Sequence, residues 1–311
     1  MANDSIPATQ REMRTEVTES GELKLCLAST PVPKPQAHEV LIKVLAAPLN
    51  PSDLALLLGP ADVSTIVESG SADDPKVTLQ IPQIAMPYVS GRVGQSLPLG
   101  NEGAGTVVAA GEQGEHLIGK TVSVAGGRMF AEYCCAPAYA CLEVGDGFDA
   151  KQASSSFVNP MTVLAMVETM RADGHTALIN TGAASNLGRM MIKVCNDDNV
   201  PLVNIVRRAE HVEELKSLGA KHVCNSSDDN FQAQLEEAIT ATGATIGFDC
   251  IGGGSLPDQM LKAMESVAAR AATEYSRYGT DVKKQVYIYG GLDRSPTKLS
   301  RSYGLYWSVG G

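Results

Sequence analysis

Residues 176–194, T-A-L-I-N-T-G-A-A-S-N-L-G-R-M-M-I-K-V, constrain this chain more than any other stretch. Ala177, Leu178 and Ile179 form an apolar run of the kind that makes a strand buried on both faces. The run gives way to a bare turn, Thr181, Gly182, Ala183, Ala184, Ser185 and Asn186. Beyond it Leu187, Met190, Met191 and Val194 are spaced as one buried helix face around Gly188. Strand, bare turn and helix start, in that order, direct the free N–H groups of the helix's first turn and the positive end of its dipole at whatever lies above them. That arrangement favours a phosphate. The turn is not G-x-G-x-x-G, because its glycines are Gly182 and Gly188 only. A tight turn that binds nothing is the rival reading, and the surrounding chain has to decide between them.

The surroundings alternate regularly. The spacing predicts a helix over 159–171 with Pro160 near its first turn, then strand 176–180, helix 187–196 and strand 200–206. Helix 210–218, strand 222–225, helix 231–240, strand 245–251, helix 257–272 and strand 285–289 follow, with a sixth strand near 304–309. Such alternation means a doubly wound parallel sheet wrapped by helices, an α/β Rossmann fold in which the turn after the first strand holds a pyrophosphate. The second strand ends at Arg207 and Arg208, where selectivity for NAD usually calls for a carboxylate. Two guanidiniums can hold a ribose 2′-phosphate through charge-assisted, often bidentate hydrogen bonds. NADPH is therefore the expected cofactor, and solvation of a loop by the two arginines is the bland alternative. His211, one turn further on, is either a third contact or a surface histidine.

The first half of the chain reads differently. Residues 17–58 carry antiparallel β character, including a strand over 39–47, a turn at 48–53 and a short helix over 53–58. Gly, Pro, Ser and Asp dominate 59–98, which reads as a long loop with an exposed turn at Asp73, Asp74 and Pro75. Strands over 106–109, 121–125 and 129–135, joined by glycine turns, complete a mostly β, barrel-like unit. The expected domains are 1–155 and 156–311. A formal net charge of −10 argues against a nucleic-acid or anionic-membrane surface. No apolar run is long enough to cross a bilayer and the N-terminus lacks a signal core, so a cytoplasmic location is expected. The seven cysteines are scattered and read as reduced core residues.

With these pieces assembled, the chain resembles the medium-chain dehydrogenase/reductase superfamily, in particular its zinc-free quinone oxidoreductase and enoyl reductase branches. The matching stretches are A-P-L-N-P-S-D-L (47–54), G-N-E-G-A-G-T-V-V (100–108), F-A-E-Y (130–133), N-P-M-T (159–162), the 181–188 turn, L-K-S-L-G-A-K-H-V (215–223), F-D-C-I-G-G (248–253) and Y-G-G-L (289–292). The resemblance implies a GroES-like N-terminal domain ahead of the Rossmann domain, with the cofactor in the cleft between them. It also implies cofactor contacts at Thr162, Cys250, Ile251, Tyr289, Gly290 and Gly291, alongside the 181–188 turn. Asn159 either shares in that contact or caps its helix. A homodimer is implied by family analogy. The resemblance implies a continuation past the sixth strand, a helix and a return to the first domain; this sequence ends at Gly311, so the expectation is either a truncated sequence or a barrel without those closing pieces.

The same resemblance bears on metal. Zinc-dependent members hold the ion at places occupied here by Asn50, Asn101 and Val158, none of them a good zinc ligand, so no metal is expected. Without a Lewis acid, hydride delivery suits a small electrophile that spreads the incoming charge, such as a quinone or an α,β-unsaturated carbonyl. Asn50 is the candidate acceptor-orienting amide; an Asx turn before Pro51 is the competing role. Asp53 reads as a helix cap. Enoyl-thioester reductases carry a proton-donating tyrosine shortly after this turn, where residues 56–61 have none; Tyr88, within the 59–98 stretch, is a candidate to fold back as its substitute. The alternatives left standing are an enoyl-thioester reductase and a non-catalytic NADPH-binding protein.

Overall fold

A computed structural model describes residues 6–311, which form two compact units, the first ending at residue 158 and the second spanning 159–311. Unit 1 contains, in order, β1 (Thr9–Val17), β2 (Glu22–Pro31), β3 (Glu39–Ala46), α1 (Pro51–Leu57), β4 (Asp62–Gly70), β5 (Pro75–Gln80) and α2 (Met86–Val89). It continues with β6 (Leu97–Pro98), β7 (Glu102–Ala110), β8 (Thr121–Ala125), β9 (Tyr133–Pro137), β10 (Leu142–Glu143) and α3 (Ala150–Ala153). These strands make two five-stranded antiparallel sheets, ordered β4-β5-β2-β1-β6 and β10-β8-β7-β3-β9. The segment just ahead of β9 links them, Ala131 bridging to Glu12 of β1 and the Glu132 carbonyl accepting from the Val44 N–H of β3 at 2.9 Å. Val40, Ile42, Val107, Val122, Val124 and Met129 fill the core of the second sheet.

Three expectations for this unit are corrected. The 59–98 stretch is not one long loop, because β4 and β5 pair as a hairpin whose turn closes through reciprocal backbone bonds between Ser71 and Asp74. Nearly every β4 side chain is exposed, so this strand carries no apolar alternation to read. The strand expected at 106 begins at Glu102, since Gly103 and Gly105 are strand residues at a close approach of β3 and β7; a Cβ on Gly105 would stand 2.1 Å from the Lys43 carbonyl oxygen. The strand expected over 129–135 runs from Tyr133 to Pro137. β1 pairs with β2 along its whole length, but its inward positions Gln10 and Glu12 are polar, which hid it among hydrophilic residues.

Unit 2 comprises α4 (Val158–Ala172, beginning one residue early, on the last residue of unit 1), β11 (Leu178–Asn180), α5 (Asn186–Asp197), β12 (Leu202–Val206), α6 (Glu210–Ser217), β13 (His222–Asn225) and α7 (Phe231–Thr242). Then come β14 (Ile246–Asp249), β15 (Gly252–Gly254), α8 (Leu256–Ala271), β16 (Lys284–Ile288), β17 (Asp293–Thr297) and β18 (Trp307–Gly310). The six-stranded sheet runs β13-β12-β11-β14-β16-β18 and is parallel throughout. Numbered along the chain, that order is 3-2-1-4-5-6, the doubly wound arrangement that binds dinucleotides where the strand order reverses. One face packs Met166, Leu187, Met191 and Leu215 of α4 to α6, and the other packs Leu235, Ile239, Met260 and Met264 of α7 and α8. Leu178, Ile179 and Asn180 are each fully buried, as the central strand of such a sheet must be. Among the described residues no helix is long and apolar enough to cross a membrane.

Candidate functional site

The reversal point lies between β11 and β14, and the 181–188 turn leaves β11 there. Gly182 has φ +60, and a Cβ added to it would meet the Cys250 sulfur at 2.5 Å. Gly188 packs α5 against the turn, since its Cβ would fall 2.2 Å from the Ala183 carbonyl oxygen. Ser185 caps α5 by accepting from the Gly188 N–H at 3.1 Å. The N–H groups of Asn186 and Leu187 lie in the first turn, where a helix offers no internal acceptor. Ser185 and Asn186 are exposed. A backbone bare of side chains, a capped helix start and an open approach fit a pyrophosphate group.

Asp249, at the end of β14, organises the wall beside this turn. Its buried carboxylate accepts from the Thr181 hydroxyl at 2.6 Å, from the Ile251 N–H at 3.1 Å and from the Gly252 N–H at 3.0 Å. The Thr181 oxygen in turn accepts from the Cys250 N–H at 3.0 Å. Thr181, Gly182, Cys250 and Ile251 are thus fixed as one piece. Burial pushes the Cys250 thiol above its ordinary pKa, against the hydrogen bonds from Thr181 and Tyr289, so it stays protonated rather than nucleophilic. Tyr289 donates its N–H to the Asp249 carbonyl at 2.9 Å. Gly290 passes so close to Cys250 that a Cβ would stand 2.6 Å from its carbonyl oxygen, while nothing stands within 4 Å of the corresponding point at Gly291. The sequence reading passed over Asp249; its signal was a carboxylate following the apolar strand in F-D-C-I-G-G.

Arg207 and Arg208 follow β12 and are both exposed. Ser227 donates its hydroxyl to the Arg207 carbonyl at 2.8 Å, which anchors the loop. Arg208 pairs with Glu210 at 3.3 Å. His211 is turned toward Glu214, its Nδ1 3.0 Å from that carboxylate. Thr162 and the buried Asn159 lie in the first two turns of α4.

In unit 1, Asn50 precedes α1 and is 4% exposed. Its Nδ2 donates to Glu102 Oε1 at 2.8 Å, and its backbone N–H donates to Asp53 at 2.8 Å. The other Asp53 oxygen accepts from the Asn101 N–H at 2.9 Å, so Asp53 joins the 50–53 turn to the start of β7 as well as capping α1. The second Glu102 oxygen accepts from the Phe157 and Val158 N–H groups at 2.8 and 2.9 Å. Glu102, which holds the Asn50 amide and the 157–158 backbone together, is a residue that the sequence reading missed, hidden in a glycine-rich stretch. Tyr88, on α2, is 87% exposed. Among the described residues no group of three His, Cys, Asp or Glu side chains stands together as a metal site would require.

The fold and these sites define a two-unit α/β protein with a doubly wound nucleotide-type sheet in its second unit. Residues 36–146 match the family described as alcohol dehydrogenase GroES-like domain, and residues 186–271 match the family described as zinc-binding dehydrogenase. The chain belongs to the medium-chain dehydrogenase/reductase superfamily. It is 24% identical over 285 residues to a mitochondrial enoyl-[acyl-carrier-protein] reductase of Arabidopsis thaliana, matching 88% of this chain but only 63% of that protein. A Mesorhizobium loti protein assigned as an NADPH:quinone reductase superposes with TM-score 0.67 at 25% identity, covering 99% of this chain and 82% of its own. A mycobacterial protein complexed with NADPH superposes with TM-score 0.63 at 19% identity, covering 96% and 80%.

Proposed function

We propose that this protein is an NADPH-dependent oxidoreductase that passes hydride to a quinone or an α,β-unsaturated carbonyl. The observation that carries the reading is the bare 181–188 turn at the strand-order reversal, with the Arg207–Arg208 pair beyond the neighbouring strand. The similarity to an assigned NADPH:quinone reductase and to a protein complexed with NADPH supports it. Bound NADPH supplies the hydride. The chain's own part is to hold the pyrophosphate on the first turn of α5, to grip the 2′-phosphate with the arginines, and to keep the Thr181–Asp249–Cys250 wall rigid beside the coenzyme. Asn50, its Nδ2 fixed by Glu102, is the residue proposed to orient the acceptor. By the family resemblance, Asn50, Asn101 and Val158 stand where zinc-dependent members hold their ion, and none of them is a good zinc ligand, so in this reading acceptor activation falls to hydrogen-bond donors.

The Arabidopsis relative supports a second reading, an enoyl-thioester reductase. The deciding experiment is NADPH oxidation by the full chain in the presence of ortho- and para-quinones, simple enones and an enoyl-CoA. Turnover on the quinones or enones supports the first reading, and turnover on the thioester alone supports the second. Coenzyme binding with no turnover on any of them would leave a non-catalytic NADPH-binding protein. A cytoplasmic homodimer completes the proposal, with oligomeric state measured by analytical ultracentrifugation.

A further inference from the structure

The arginine pair is not equally available. Arg208 is engaged by Glu210, which opens α6 two residues further on, whereas no carboxylate among the described residues stands within ion-pair distance of Arg207. The other acids nearby are differently disposed. Glu213 pairs with Lys216 at 2.8 Å, and Glu214 is turned to Arg189 at 2.6 Å and to His211. Asp228, on the loop that anchors Arg207, is held by the Asn225 and Gln234 amides at 2.6 and 3.0 Å. Among the described residues Glu210 is the one acid paired with Arg208, and the same oxygen stands 4.0 Å from His211 Nε2.

We infer that Glu210 is a specificity-determining residue, an internal competitor that occupies Arg208 and sets how strongly the protein prefers a 2′-phosphorylated coenzyme. The inference rests on the NADPH reading above and adds to it. A 2′-phosphate brings nearly two negative charges, so reaching Arg208 means displacing Glu210 and then sitting close to its carboxylate. A ribose 2′-hydroxyl has no charge to repel, and a carboxylate in this place can accept a hydrogen bond from it. Glu210 therefore penalises NADPH and spares NADH. The pair is solvent-exposed, which limits the penalty: repulsion between a dianion and a carboxylate about 6 Å apart in water corresponds to about tenfold in affinity before screening, and salt reduces it to several-fold.

The test isolates the phosphate by using 2′,5′-ADP and 5′-AMP as probes, titrated calorimetrically into the full chain, into Glu210→Gln and into Glu213→Gln, at low and high salt. Thermal melting of each variant checks that it is folded. The expected result is a parent that prefers 2′,5′-ADP, a roughly three- to tenfold tighter 2′,5′-ADP in Glu210→Gln with 5′-AMP no tighter, a smaller change in Glu213→Gln, and a gain that shrinks as salt rises. A parent that prefers 2′,5′-ADP with Glu210→Gln no tighter overturns this inference and leaves the NADPH reading intact. A parent with no preference for 2′,5′-ADP overturns both. Equal gains from the two substitutions would reduce Glu210 to one contributor to net charge and overturn its specific role.

Discussion

Replacing Glu102 by Gln should destabilise unit 1 and release Asn50. The Glu102 carboxylate has no exposure to solvent and accepts from three N–H groups, two backbone and one amide. A carboxamide has a single acceptor oxygen. If that oxygen keeps the Phe157 and Val158 N–H groups, the new NH2 confronts Asn50 Nδ2 and forces that amide to turn. If it keeps Asn50, two backbone N–H groups face a donor. Hydrogen bonds to a charged acceptor contribute about 1.5–3 kcal/mol and neutral ones about 0.5–1.5 kcal/mol, so weakening three of them costs on the order of 3 kcal/mol in the milder arrangement. For a unit of this size that corresponds to a fall of about 6–12 °C in melting temperature. Two probes separate the units. The single tryptophan, Trp307, lies in unit 2, so its fluorescence follows that unit, while far-ultraviolet circular dichroism follows both. The expected result is an earlier dichroism transition in Glu102→Gln. An unchanged dichroism midpoint would refute the claim that the carboxylate holds these three donors, and with it the argument that Glu102 fixes Asn50.

Three other outcomes follow from the structure. In the parent, NADPH should bind more tightly than NADH, and Arg207→Ala with Arg208→Ala should remove most of the difference in a fluorescence titration; equal affinities in the parent would sink the coenzyme assignment. Gly188→Ala places a methyl 2.2 Å from a backbone oxygen, so α5 must move off the turn at a cost of about 1–3 kcal/mol, seen as a lower melting temperature together with weaker coenzyme binding. Stability should also fall on acidification because of His175, buried between Thr245 and Gln285, whose pKa is lowered by burial. The unfolded histidine takes up a proton near its ordinary value of about 6.5 while the folded one stays neutral. Its contribution is fully present above that pH and is lost as pH falls toward the lowered folded value, with a slope of at most about 1.4 kcal/mol per pH unit. His175→Asn should flatten this part of a urea-midpoint profile, and an unaltered profile would count against it.

What could be read from the sequence divides along a physical line. The parallel sheet was legible because its strands are buried on both faces and its helices on one, so apolar spacing reports each element directly; residues 222–225 were placed at the bounds observed for β13. The antiparallel unit hid where that correspondence fails. β4 buries almost nothing, β1 turns Gln10 and Glu12 inward, and β7 opens on glycines that its neighbour's backbone requires.

The same line runs through the candidate site. The bare turn and the arginine pair could be named in advance because backbone freedom and charge are written in single residues. Asp249 and Glu102 could not, because each acts by collecting N–H groups: Asp249 from a turn three residues along its own strand end, Glu102 from donors 52 to 56 positions away. A buried carboxylate with three donors is a property of the folded chain, and only its cost when unpaired is visible in the sequence, as an acid amid glycines and apolar residues where no acid should sit alone. Applied to Glu102 in G-N-E-G-A-G and Asp249 in G-F-D-C-I-G-G, that rule marks both residues as holding something, though not what they hold.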